Sequence, residues 1–286
     1  MYLQPLVDYF NDRFETEHHS NIRPFTIENG LVSGIFGPIQ ISSVFESVRQ
    51  TDDNEKLVGH IAQISVTPYT HNQPSEQLIE IGNLLTEVIT QPADFQSIIN
   101  LDRLCRTVHM LNYLNYSENG GVLFLDVDPR HILGVQQGHG AYFEESIIKC
   151  GLATQNVVIS MAINNFYALH HTQLLDGLNN YRQRSYQIAL NIGSLYVADG
   201  IREIITKLSA DFLRINAPDT ATNQYSDMSW PETLKPLTEL QNIQGGKTIL
   251  QQVKNEKQAD IAASAKFDLV QGDYYDKLIT DHLRCL

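Results

Sequence analysis

GVLFLDV, residues 121–127, is an almost unbroken apolar run introduced by the turn SENGG at 117–121. A strand with one face in water alternates apolar and polar residues. An unbroken run therefore predicts a strand covered on both faces, as in a parallel sheet flanked by helices. The same unit recurs downstream. VVISMAI (157–163) leads into a helical pattern through Leu169, Leu174, Leu175 and Leu178, and SYQIALNI (185–192) leads into VADGIREIITKL (197–208). DFLRINA (211–217) precedes a polar loop and ETLKPLTELQ, KTILQQV (247–253) precedes NEKQADIAASA, and FDLVQG (267–272) precedes the terminal helix. Upstream, GIFGPIQISSVFESV (34–48) and LVGHIAQISV (57–66), joined by the polar TDDNEK, read as the first two strands. Two helical stretches follow them, EQLIEIGNLLTEVI (76–89) and residues 97–114, where Leu101, Leu104, Cys105, Val108 and Leu111 share a face. Eight strand candidates, most followed by a helix, predict an α/β fold: a closed (β/α) TIM-type barrel of about 250 residues. An open doubly wound sheet fits less well, because no Gly-rich phosphate turn follows the first strand.

Residues 1–20 add an amphipathic helix, with Leu3, Leu6, Val7, Phe10 and Phe14 on one face. The expected organisation is an N-terminal helical extension over 1–30 and a barrel over 31–286. The extension can pack on the barrel or present its apolar face to a partner. The 286 residues are 42% hydrophobic, enough for a sizeable core. With 20 Lys and Arg against 33 Asp and Glu, the formal charge of −13 argues against a nucleic-acid polymer as partner and against a basic membrane-surface helix. No apolar run reaches the ~18 residues of a membrane span. Asp8, Asp12, Arg13 and Glu15 interrupt the first segment, so no signal peptide is expected. Cys105, Cys150 and Cys285 are widely spaced without a CxxC, which predicts reduced thiols in a cytoplasmic protein.

Chemistry in such a barrel sits at the C-terminal ends of its strands. The polar residues there are Gln63, Ser65, Asp126, Asp128, Ser160, Asn191, Arg214, Asn216, Gln251, Gln252 and Gln271. Amides dominate, and Asp126 and Asp128 are the acids. A two-metal hydrolase needs several carboxylates or imidazoles, which this set does not supply. Of the ten histidines, His18–His19 and His170–His171 are adjacent pairs, which on a helix point roughly 100° apart. There is no HExxH and no Cys/His zinc spacing, so neither a metal nor a cofactor is expected. Gly138–His139–Gly140 is a weak anion-site candidate. The most loop-like segment, PDTATNQYSDMSWP (218–231), carries Tyr225 and Trp230.

Taken in order from about Gly37 to Leu286, the strand ends resemble those of the EAL domain, a barrel that hydrolyses cyclic di-GMP with two divalent metal ions. VGHIAQIS stands where that family has VG-x-EALLR, and LDRLCRTVH is similar to its LDRWVLR helix. LFLDVDPRHIL resembles V-N-x-S-P-R-x-L, VVISMAIN stands at L-x-L-E-I-T-E, and IALNIGS stands at IALDDFG. ADFLRIN is similar to VDYLKID, TILQQVKNEKQ to VVAEGVET-x-EQ, and FDLVQGDYYDKL to CDYVQGYLFSKP.

Carried over residue by residue, the resemblance implies that most functional positions are replaced. The metal-binding Glu of the EAL signature falls on Ile61 and the following Arg on Ser65. The next metal ligand, an Asn, is Asp126. The two Glu of E-I-T-E become Ser160 and Ile163, and the paired Asp become Asn191 and Ile192. The active-site Lys becomes Arg214, the catalytic Glu of EGVE becomes Gln251 and its second Glu becomes Lys254, while Gln271 is unchanged. A pocket of Asp126, Asn191, Arg214, Gln251, Lys254 and Gln271 would lack the oxygen ligands for divalent ions. Asp126 and Arg214 would then pair where the metals sit.

The resemblance so read implies a catalytically inactive, regulatory protein-interaction module in cyclic di-GMP-linked bacterial signalling, with a protein partner and a possible homodimer. The alternative is a metal-independent receptor that binds cyclic di-GMP through Arg214, Lys254 and Gln271. An enzyme of altered chemistry at the same mouth is a third reading. Candidate interaction surfaces are the N-terminal helix, the 218–231 loop and the helices after the IALNIGS strand.

Overall fold

Eight strands close a mixed barrel in the computed structural model, which describes residues 3–18, 22–69, 95–117, 120–135, 138, 140–192, 199–219 and 229–285. The helix expected over 76–89 and most of the 218–231 loop lie outside these residues. The chain divides into two compact units, one of residues 1–45, 62–119 and 130–153, the other of 46–61, 120–129 and 154–286.

The second unit holds the barrel strands. They are the end of β3 (Ile39–Gln50), the start of β4 (Leu57–Pro68), β5 (Val122–Asp126), β6 (Val157–Ile163), β7 (Gln187–Ile192), β8 (Phe212–Asn216), β9 (Lys247–Gln251) and β10 (Leu269–Val270). Their order is β3-β10-β9-β8-β7-β6-β5-β4, and a β3–β4 pairing closes the ring. β4 to β10 run parallel, while β3 pairs antiparallel with β10, Gln50 opposite Leu269. Each strand contributes one apolar side chain to a common core layer: Val48, Ile61, Phe124, Val158, Ala189, Phe212, Ile249 and Leu269, none more than 5% exposed. The Phe124 and Phe212 rings meet edge to face at 5.0 Å. The intervening residues Val157, Ile159, Ile188, Leu190 and Leu213 are equally buried, because they point outward beneath the helices. That double burial is the cause of the unbroken apolar runs. Gly59 is required by close packing, since a Cβ there would lie 2.2 Å from the Val122 carbonyl oxygen.

The helices of this unit are α5 (His171–Gln183), α6 (Asp199–Leu208), α7 (Trp230–Ile243), α8 (Glu256–Ser264) and α9 (Asp273–Cys285), the expected partners of the strands. Asn255 starts α8 by accepting a hydrogen bond from the Gln258 N–H at 3.1 Å. No helix among the described residues is long and apolar enough to cross a membrane.

The first unit contains α1 (Leu3–His18), β1 (Phe25–Glu28), β2 (Leu31–Phe36), α2 (Phe95–Tyr113), α3 (Pro129–Gly134, from Arg130) and α4 (Ala141–Lys149). The expected first strand is in fact a hairpin. Gly37, at φ 57°, and Pro38 turn the chain between β2 and β3, so residues 34–48 supply two strands. The apolar face of α1 is realised, with Val7 and Phe10 each 2% exposed. Asn11 docks the helix on β1 by donating to the Phe25 carbonyl at 2.8 Å and accepting from its N–H at 2.9 Å. Leu104, Cys105, Val108 and Leu111 of α2 are buried as the periodicity requires. Cys105 and Cys150 are free and buried, and desolvation pushes both thiols up to about 12, which makes them unreactive.

Arg106 is fully buried, ion-paired with Asp102, and its guanidinium lies 3.4 Å above the Phe143 ring. The same Asp102 oxygen meets His131 Nδ1 at 3.0 Å, tying α2 to α3. Burial holds the His131 imidazole below its ordinary value, and the bond to Asp102 only partly opposes this. A depressed histidine contributes stability that is complete above the unfolded value of about 6.5 and is lost as pH falls through the folded one. Urea unfolding of the full chain is therefore expected to shift to lower midpoints below about pH 6.5, and His131→Gln should remove that part of the shift. NMR titration should find His131 among the last imidazoles to protonate. Truncating Arg106 to Ala leaves Asp102 buried without its cation and should cost about 3–5 kcal/mol in the same unfolding assay.

Candidate functional site

Two residues beyond the apolar layer, strand alternation brings the next inward-facing side chains together: Asp126, Ser160, Asn191, Arg214 and Gln251, with Gln271 just after β10. All are polar. Arg214, 2% exposed, stands at the centre. Its Nη1 donates to Asp126 Oδ1 at 2.7 Å and to Ser160 Oγ, and its Nε donates to Gln251 Oε1 at 2.9 Å. Gln251 turns its amide nitrogen to Asn191 Oδ1 at 2.8 Å and to Asn216 Oδ1. The pair expected between Asp126 and Arg214 thus forms, with an asymmetry in solvation. The Asp126 side chain is 50% exposed while the arginine is not.

Beside this cluster Gln271 acts as a staple. Its Oε1 accepts from the Gln252 N–H at 2.9 Å, and its Nε2 donates to Glu46 Oε2 at 3.0 Å. Gln252 needs a left-handed backbone, φ 61°, to present that N–H. Glu46 escapes a reading of C-terminal strand ends because it lies on the antiparallel strand, where the mouth-side residue precedes the core residue Val48 instead of following it. The short TDDNEK connection between two apolar runs is the signal for that reversed strand.

Other sequence candidates go elsewhere. Lys254 is exposed, and only its backbone joins the local structure, the N–H donating to Gln258 Oε1 at 2.7 Å. Ile61 is in the core layer below the mouth, and Ile192 is on the opposite face of β7 from Asn191. Gln63 and Ser65 belong to the part of β4 in the first unit.

The donor chemistry of the mouth does not fit a pair of divalent ions. Such ions take six or more oxygens, several of them carboxylate. Here Asp126 Oδ1, Ser160 Oγ and Gln251 Oε1 already serve one guanidinium, a permanent cation among them. Among the described residues no group of three or more His, Cys, Asp or Glu is gathered to hold a metal.

Solved structures of similar fold include EAL domains. The Bacillus subtilis YkuI protein, with an EAL domain in complex with cyclic di-GMP and calcium, superposes at a TM-score of 0.62 with 16% identity, over 82% of this chain and 54% of that one. The calcium and cyclic di-GMP complex of Klebsiella pneumoniae BlrP1 gives 0.63 with 13% identity over 82% and 54%. The Xanthomonas citri FimX EAL domain in complex with cyclic di-GMP gives 0.60 with 13% identity over 82% and 86%. The chain spans about half the length of the first two. No protein-family profile and no curated protein sequence matches it. At these identities the likeness defines the fold: an α/β barrel of the EAL type.

Because Arg214 satisfies an acid, a hydroxyl and an amide at once, Arg214→Ala should lower stability by about 2–5 kcal/mol in urea unfolding. Asp126→Asn keeps a hydrogen-bond acceptor but leaves the buried Arg214 without its carboxylate, and should cost about 3 kcal/mol or more in the same assay.

Proposed function

We propose that this chain is a catalytically inactive EAL-like protein that works as a regulatory protein-interaction module in cyclic di-GMP-linked bacterial signalling. The observation that carries the reading is the buried Arg214, hydrogen-bonded to Asp126, Ser160 and Gln251. Hydrolysis of a phosphodiester by a metal centre requires an activated water and a Lewis acid on the phosphoryl oxygens. At this mouth the positive charge is fixed in a side chain that cannot ionise water. The donors a phosphodiester would need are directed inward: Arg214 to Asp126, Gln251 to its asparagines and Gln271 to Glu46. Replacement of the family's acidic residues at Ser160 and Asn191 is part of the same proposal. Exposed Phe166 and Leu169, 80% and 92% accessible in the segment after β6, supply apolar surface of the kind partner proteins cover. A cytoplasmic setting accords with the free buried thiols.

A second reading, metal-independent binding of cyclic di-GMP, is favoured by the neighbours that hold this dinucleotide on the same fold. For this chain it would require Asp126 to release Arg214. The two readings separate in one calorimetric titration with cyclic di-GMP, run with and without millimolar Mg²⁺ or Ca²⁺, beside a chromatographic assay for the linear dinucleotide. The expected result is neither heat nor product. Binding insensitive to metal and abolished by Arg214→Met would establish the receptor instead. Binding or turnover that depends on metal would overturn both.

A further inference from the structure

Among the described residues β1 is the terminal strand of the sheet, paired on one side with β2. The Pro24 carbonyl accepts from the Ile35 N–H of β2 at 2.8 Å. Alternation along an antiparallel strand then turns the N–H and C=O of Phe25, and those of Ile27, to the side away from β2. At Phe25 that side is closed by a side chain. Asn11, 4% exposed in the middle of α1, donates to the Phe25 carbonyl at 2.8 Å and accepts from the Phe25 N–H at 2.9 Å. A residue of a further antiparallel strand would exchange the same two bonds with Phe25. Asparagine is a poor residue for a helix interior. Position 11 is explained by the strand it meets. Other contacts hold the helix in place. Arg23, just ahead of β1, meets Asp12 Oδ1 at 2.8 Å and Glu15 Oε2 at 2.9 Å. Arg13 lies 3.8 Å above the Tyr142 ring of α4.

An uncapped sheet edge is a template for pairing with another chain. Antiparallel pairing of β1 with a second copy, centred on Thr26, sets Phe25 of each copy opposite Ile27 of the other. Those are the residues whose backbone groups face outward, so both copies form the same bonds across a two-fold axis. Thr26 then stands opposite Thr26 and Pro24 opposite Glu28, and no charge directly opposes a like charge. We propose that α1 is a releasable cap on this edge. With Asn11 in place β1 is closed to other chains, and with α1 displaced β1 becomes the self-pairing edge of a dimer. The device belongs to the first unit and is independent of either reading of the barrel mouth.

The test is sedimentation velocity of the full chain across a wide range of concentration. Asn11→Leu keeps the apolar body of α1 and leaves the Phe25 N–H and C=O unmet, which favours displacement of the helix. This variant should self-associate roughly tenfold or more tightly than the wild type, a factor in keeping with two lost hydrogen bonds. Amide exchange at Phe25 should quicken in the dilute variant and slow again as it associates. Adding Ile27→Pro removes an outward N–H without touching the β1–β2 bonds, and should restore the wild-type mass. Arg13→Ala loosens α1 at Tyr142 and leaves Asn11 and β1 intact. It should promote the same association more weakly, and it carries the test if Asn11→Leu does not fold. Wild-type mass for both released variants would overturn the proposal. Association that survives Ile27→Pro would do so too, since it would come from the uncovered apolar face of α1.

Discussion

A guanidinium cannot give up its proton inside a protein, so burying Arg214 at 2% exposure dictates the chemistry of everything around it. Desolvating such a cation costs several kcal/mol, and attraction to a carboxylate offsets this only when the remaining N–H groups are also met. The strand ends meet them in turn. Asp126 supplies the charge, Ser160 and Gln251 accept, and Gln251 is then fixed so that its nitrogen must find Asn191 and Asn216. The orientation of five strand ends, β5 to β9, follows from one charge placed on β8. Asp126 keeps half its surface in water, so the ion pair is formed without stripping both partners of solvent.

The layer below has the opposite composition, and the contrast is functional. Eight apolar side chains fill the barrel and contain no polar atom to satisfy, so they fix strand position without prescribing chemistry. Sharing one inward face, two residues apart on each strand, the polar set inherits that precision. Gln271 shows how the layers connect, because it ties the Gln252 N–H to Glu46 across the antiparallel seam of the barrel. The Gln271 side chain thus has a scaffold role at the mouth.

Most of this was legible from residues because double burial leaves a strong trace. VVISMAI and IALNI read as strands covered on both sides, and the α2 face read from its helical period. The β2–β3 hairpin was not legible, since Gly37 and Pro38 sit inside a run whose apolar residues continue on both sides. Glu46 was missed because period-two alternation does not reveal strand direction, and only a reversed strand carries its mouth residue ahead of its core residue. Ile61 shows the converse limit. Motif position placed it at the mouth, but depth along a strand depends on shear, which no single strand encodes, and packing sets it one layer down.

The network also constrains how such a mouth can change. A carboxylate introduced beside Arg214, at the position of Ser160 for instance, would meet the guanidinium before it met any ion. It would share the guanidinium with Asp126 rather than open a metal site, because a covalently tethered cation needs no capture from solution. A divalent ion would have to displace that tethered charge while shedding its own hydration. Only removal of Arg214 frees the oxygens of Asp126, Ser160 and Gln251 together, and it does so by breaking the contacts that orient them. Cation and ligand set are therefore alternatives in this barrel: the strand ends can be organised around a side chain or around metal, and the path between the two passes through a state with neither.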